Sequence, residues 1–208
     1  MSQINHSKSR WKFRVGFALA AVAVAAIPLV TTSEYVLRLV TVVILWIGMA
    51  GCWNMMSGYT GYIDFGPVVY FGIGSYATAI AMSSYGVSFF PALALGGIVA
   101  GLIALPIGMT TLRLRGAYFA IATFAFAEVM KQVTLEFDRT FQVVLFQGSD
   151  GIILPISGLG NTFFFYCFLA TTFVIVLIHL VIEHSKFGYG LKAIHEAEAA
   201  AETSGVDT

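Results

Sequence analysis

Residues 39–112, the stretch between Arg38 and Arg113, contain a single charged side chain, Asp64. No water-facing surface can be built from such a run, because roughly a quarter of the residues in a soluble domain are charged. Across the whole chain only 11% of residues are charged and 58% are hydrophobic. These proportions exclude an ordinary soluble enzyme, a disordered chain and a nucleic-acid binder of the basic kind. What they leave is an integral membrane protein.

A spanning helix needs about 20 mostly apolar residues. Six stretches qualify: 13–30, 35–56, 67–84, 89–110, 117–136 and 162–182. A transmembrane barrel would alternate polar and apolar residues, and runs such as Val40 to Trp46 do not. The expected fold is therefore all-α, a polytopic transmembrane helix bundle of about six spans. It reads as a single domain, with a basic tail over 1–12, a membrane bundle over 13–182 and a polar segment over 183–208. The first span resembles a signal peptide, but its apolar run continues through Pro28, Leu29 and Val30, longer than a signal core usually is.

Orientation follows from Lys and Arg in the short loops. With the amino terminus inside, Lys8, Arg10, Lys12, Arg14, Arg113, Arg115, Lys186 and Lys192 are cytoplasmic, and only Arg38 and Arg139 fall outside. The segment after 182 is then cytoplasmic.

Within the membrane region the least regular segment runs from Gly58 through Tyr59, Thr60, Gly61, Asp64 and Gly66 to Pro67. Three glycines and a proline there will not make one continuous helix. Asp64 or Gly66 can cap a new helix with Pro67 in its first turn. Broken helices of this kind line solute pathways in transporters; the alternative is a short cytoplasmic turn. The fourth span carries Gly96, Ala100, Ala104 and Gly108 at spacing four, with Gly97 and Gly101 offset by one. Small residues at this spacing let helices pack closely in lipid. Glu128 and Lys131 lie three apart in the fifth span, and ionisable groups at that depth are functional candidates or a structural ion pair.

Cys52 and Cys167 are isolated, and His179 and His184 are too loosely spaced for a metal site, so no metal is expected. There is no phosphate-binding glycine loop, no His-Glu-x-x-His and no Gly-x-Ser-x-Gly. Uphill transport would need an ion gradient or another subunit. After the last span, good helix formers from Leu191 to Thr203 predict a short helix with Gly205 as its stop.

Several segments together carry a resemblance. They are Asn54-x-x-x-Gly58-Tyr59-Thr60-Gly61-x-x-x-Phe65-Gly66 running into Phe71-Gly72-Ile73-Gly74-Ser75-Tyr76, and Leu112-Arg113-Leu114-Arg115-Gly116-x-Tyr118-Phe119-Ala120-Ile121 followed by Thr123-x-Ala125-Phe126-Ala127-Glu128. The tail from Leu191 to Gly205 resembles the coupling helix of ABC importer permeases. From about Val36 onward the chain is similar to the inner-membrane permeases of the branched-chain amino-acid ABC transporter family, the M-type (leucine/isoleucine/valine) subunit in particular. Pro67 stands where that family usually has His.

The resemblance implies an importer subunit that works by alternating access. Its partners would be a second, H-type permease, two ATP-binding cassette subunits that hold the ATP, and an extracytoplasmic binding protein. No cofactor is expected on this chain, which is not itself an enzyme. The resemblance puts the ATPase-docking surface at Ala193, Ile194, His195, Glu196, Glu198, Ala199, Ala200, Ala201, Glu202 and Gly205. Tentative pathway residues are Gly58, Tyr59, Thr60, Gly61, Asp64, Gly66 and Glu128. Family members continue through further spans, so the chain reads as truncated at its carboxy terminus. Rival readings are a urea or short-amide permease of the same family, an ion-coupled secondary transporter and a non-transporting scaffold.

Overall fold

The computed structural model describes residues 21–31, 33–141, 151–154 and 159–203, and among these every regular element is helical. α1 is a short piece, Ile27–Val30. α2 runs Glu34–Thr60, α3 Gly66–Tyr85, α4 Phe89–Thr111, α5 Ala117–Phe141, α6 Asn161–Glu183 and α7 Lys186–Thr203. The predicted second to sixth spans each fall within α2 to α6 in order. Residues 13–20 of the first predicted span lie outside the described residues, as does Gly205.

Three helices, α2, α4 and α6, are long and apolar enough to cross a membrane by length and composition. Only 17%, 11% and 6% of their apolar windows are buried within the chain. Trp46, Ile98, Leu102 and Leu105 are among the large side chains left exposed, a surface that lipid or protein must cover. α3 also lacks charge, but Gly, Ser and Thr dilute its apolarity. Its 20 residues still reach about 30 Å at 1.5 Å per residue.

The chain packs as two compact units, Met1–Gly48 with Gly158–Ile175, and Met49–Ser157 with Val176–Thr208. In the first unit, the opening turns of α2 and α6 lie side by side and run in the same direction. Asn161 Nδ2 donates to Glu34 Oε2 (3.1 Å), Phe165 packs on Leu37 and Ile44, and Thr172 Oγ1 donates to the Ile44 carbonyl (3.2 Å). Phe165 is fully buried there, with Val24, Ile27 and Val40 around it. Gly48 allows the approach, since a Cβ on it would lie 2.9 Å from Thr172 Oγ1. Two spanning helices that run parallel need an odd number of crossings between them, which α3, α4 and α5 can supply.

In the second unit α3 and α4 form an antiparallel hairpin. Gly86 makes the turn in the left-handed region (φ 64°), and the Val87 N–H reaches back to the Ala81 carbonyl (3.1 Å). Glycine adopts that conformation without the steric cost a side chain would add. Ala81, Met82 and Ala92 form the core beneath it, with Val87, Phe89 and Leu154 against them. Further along, a Cβ on Gly96 would strike Thr78 Oγ1 and the Gly74 carbonyl, while Ala100 touches Gly74. Gly96 and Ala100 thus lie where the two helices come closest. A Cβ on Gly97, Gly101 or Gly108 would meet nothing within 4 Å, and Ala104 lines an open apolar face of α4 with Leu105 and Met109.

Gly96 therefore cannot gain a side chain without separating the hairpin, and overpacking of this kind costs about 1–3 kcal/mol. Gly96→Val should lower the melting temperature of the detergent-purified chain by several degrees. Gly97→Ala, which adds its methyl to open space, should leave it within a degree or gain slightly.

Candidate functional site

α2 ends at Thr60 and α3 begins at Gly66, so residues 61–65 are the break that the glycine pattern predicts. Gly61 turns the chain with φ 77°, a conformation that favours glycine. The amides of the break find partners in succession. Gly61 N–H donates to the Ser57 carbonyl (3.1 Å), Tyr62 N–H to Thr60 Oγ1 (3.3 Å) and Asp64 N–H to Ser57 Oγ (3.2 Å). Phe65 N–H donates to Thr123 Oγ1 of α5 (3.3 Å) and Gly66 N–H to Asp64 Oδ1 (2.8 Å). Pro67 lies in the first turn of α3, whose N-cap is Phe65 without a side-chain cap bond, so Asp64 does not cap the helix as expected but holds the turn one residue before it.

Aromatic contacts seat the break on α5. Tyr62 meets Phe119 edge-on (5.6 Å between centroids), Phe65 meets Phe124 likewise (5.6 Å), and Tyr70 of α3 lies near Phe126 (6.3 Å). Phe119 and Thr123 are both buried, one helical turn apart on the same face of α5. Thr60, Tyr59 and Gly66 are also buried, Asp64 is half-buried, and Gly58 and Gly61 are exposed. A Cβ on Gly58 would collide with the Asn54 side chain. Burial pushes the Asp64 carboxyl above its ordinary range, and the hydrogen bond from Gly66 opposes this.

Glu128 is not part of this assembly. Nine residues after Phe119, it lies on the opposite side of α5 at 100° per residue. It is exposed, and its carboxylate holds Lys131 Nζ (3.1 Å) and Gln132 Nε2 (3.4 Å). The two acids singled out in the sequence bond differently: Asp64 within the break, and Glu128 to residues of its own helix.

α7 starts at Lys186, five residues earlier than the expected Leu191. Ser185 is the reason: its Oγ accepts the Gly188 N–H (3.1 Å) and donates to the Ile182 carbonyl (2.8 Å), capping the helix. Gly188 is buried against that carbonyl, where a Cβ would collide with it. On α7, Lys192 and His195 lie three residues apart on one face. Lys192 Nζ sits 5.5 Å from the centre of the Tyr59 ring and 3.7 Å from Glu183 Oε1. The His195 imidazole lies against Gly61, so that a Cβ there would be 2.6 Å from Nδ1. Tyr59 also meets the His179 ring (5.7 Å), and His179 Nε2 shares a hydrogen bond with Asn54 Nδ2 (3.2 Å).

An exposed cation–π contact contributes about 0.5–1 kcal/mol and an exposed ion pair about 0–1. The Ser185 cap, at about 1 kcal/mol, and the Gly188 corner hold α7 at least as firmly as these contacts do. α7 is charged at Lys186, Lys192 and Glu196, so it belongs at the water interface, and the end of α2 touching it lies at that level too. Ala193 and Ile194 are half-buried while His195 and Glu196 are exposed. Glu198, Ala199, Ala200, Ala201 and Glu202 continue the helix.

This geometry can now be set beside known proteins. The family described as "Branched-chain amino acid transport system / permease component" matches residues 35–208. The chain belongs to that family. The high-affinity branched-chain amino acid transport system permease protein LivM of Salmonella typhimurium is 30% identical over 118 residues. The protein of the same name from Escherichia coli matches equally, at 30% over 118 residues. Each match takes in 57% of this chain but only 27% of the relative, so the matched segment is about a quarter of the length of either. No solved structure matches. Family and apolar helices together make this a membrane protein of the transport-permease class.

Several contributors were not singled out from the sequence: Ser57 and Thr123 as hydrogen-bond partners of the break, and His179 and Lys192 beside Tyr59. A hydroxyl inside an apolar run is the one signal that pointed to the first two.

Asp64 supplies the next prediction. Its carboxyl is raised in the folded chain, so its contribution to stability is greatest below the ordinary carboxylate range and is lost as pH rises through the raised value. Asp64→Asn can still accept the Gly66 N–H and should remove that slope. The stability difference between Asp64→Asn and the parent should shift in favour of the variant as pH rises from 4 to 7, read by thermal unfolding. Asp64→Ala, which loses the acceptor as well as the titrating group, should be about 1 kcal/mol less stable than Asp64→Asn at every pH.

Proposed function

We propose that this chain is a permease subunit of an ATP-driven importer of branched-chain amino acids. It would lie in the inner membrane with its amino terminus in the cytoplasm. The observation that carries this is the family match over residues 35–208, which takes in every helix from α3 to α7 and nearly all of α2. The LivM proteins of Salmonella typhimurium and Escherichia coli, whose names state branched-chain amino acid transport, support the substrate class.

The break over 61–65, with its amides supplied by side chains, is the kind of irregular backbone a membrane protein tolerates beside a pathway. In this reading the pathway passes Gly58, Tyr59, Thr60, Gly61, Asp64 and Gly66. Glu128, exposed on α5, lines it only where a second permease closes over that face. ATP is held by two separate cassette subunits, which dock on α7 around Ala193–Glu202, and an extracytoplasmic binding protein delivers the solute. The helices then rock between inward-open and outward-open arrangements.

The test is uptake of labelled leucine into vesicles containing the chain with the ATPase subunits and binding protein encoded beside it. Uptake should require ATP inside and survive a protonophore, and unlabelled isoleucine and valine should compete. Competition by urea and not by leucine would move the substrate class. Collapse of uptake by the protonophore at constant ATP would replace the ATP-driven reading with an ion-coupled one. Glu128→Gln should lower uptake at least tenfold; uptake within twofold of the parent would remove Glu128 from the pathway.

A further inference from the structure

The break and α7 are described above as separate features, one tied to the solute pathway and one to the cytoplasmic partner. The geometry joins them. α7 touches the end of α2 through two side chains of one face, and both contacts fall at the start of the break: Lys192 over the Tyr59 ring and His195 on the Gly61 backbone. Gly61 is the residue whose positive φ turns the chain out of α2. Three residues beyond it the break is pinned from Asp64 onward, by Ser57, by Thr123 and through Gly66 at the start of α3. The segment between these anchors is short, so a displacement at Gly61 reaches α3 without slack to absorb it.

The far side of the joint is equally constrained. Glu183 at the end of α6 pairs with Lys192, and His179 one turn earlier packs on Tyr59 and bonds Asn54. Tyr59 is thus held between α6 and α7, while Ser185 and Gly188 fix the corner from which α7 departs. α7 can pivot about that corner only by carrying Lys192 and His195 with it.

We propose that Lys192 and His195 are positioning residues that tie α7 to the Tyr59–Gly61 end of α2, so that movement of α7 is delivered to the Asp64 break and the first turn of α3. Their role as a joint rests on the contacts themselves. That it serves transport rests on the permease reading above.

The test has two arms. In the full chain in nanodiscs, the double variant Lys192→Ala/His195→Ala should speed hydrogen exchange of the amides over residues 61–66 at least tenfold, while the amides of 186–190, behind the Ser185 cap, stay as slow as in the parent. Unchanged exchange over 61–66 overturns the joint, whether or not the chain transports anything. In vesicles with the ATPase subunits, Lys192→Ala alone, which lies outside the docking surface, should retain ATP hydrolysis within twofold and lose at least tenfold in leucine taken up per ATP consumed. Lys192→Arg, which keeps the cation over the Tyr59 ring, should restore most of that ratio in the His195-intact chain. An unchanged ratio in Lys192→Ala overturns the role in transport, as does a proportional fall of uptake and hydrolysis together. Absence of leucine uptake by the parent chain would instead count against the permease reading, leaving the exchange arm to decide the joint.

Discussion

A helix that stops inside an apolar chain strands backbone amides, and an unpaired amide away from water costs several kcal/mol. The structure around residues 61–66 is an answer to that cost. Ser57 and Thr60 supply oxygens from the last turns of α2, Asp64 from the break itself and Thr123 from α5. Thr123 is the long-range member of the set, so the break can form as it does only when α5 is in place. The rings of Tyr62 and Phe65 on Phe119 and Phe124 then fix which face of α5 is used. The one charge within residues 39–112 has a structural use here: Asp64 supplies the acceptor at the head of α3.

Lipid removes the usual driving force for helix association, since acyl chains are as apolar as leucine. Shape then decides which faces meet. Gly48 admits Thr172 in one unit, and Gly96 admits Gly74 and Thr78 in the other. Between such contacts the large side chains remain outside, which is why Phe165 is the only large side chain fully buried among the described residues. A soluble bundle of this length would bury a continuous core. Here close contacts at small residues do the work that a core does in water.

The helices α2 to α6 were legible because a charge-poor run of 20 residues has few other fates, though only α2, α4 and α6 are long and apolar enough to span, and the break was legible because Gly61 and Pro67 cannot both sit inside one helix. That Asp64 would bond the Gly66 amide one residue ahead of the N-cap, Phe65, rather than cap the helix, was not. The start of α7 was not legible. Gly188 and Gly190 argue against a helix by propensity, and only the Ser185 cap and the fit of Gly188 against Ile182 override them. Periodicity could have placed Glu128 opposite Phe119, but nothing in the sequence said which face of α5 the break would occupy. Lys192 and His195 were visible as polar residues on a helix. Their partners Tyr59 and Gly61 lie more than 130 positions away, and no local pattern connects them.

That long-range meeting follows from direction. α2 and α6 run the same way, so the carboxy-terminal ends of both arrive on one side, where Asn54 meets His179. α2 has 27 residues, about 40 Å at 1.5 Å per residue, against a hydrocarbon core of about 30 Å. It overshoots, and its last turn emerges at the depth where α6 gives way to the charged α7. The meeting of the ends of α2 and α6 at Asn54 and His179 is what puts the break within reach of the charged α7.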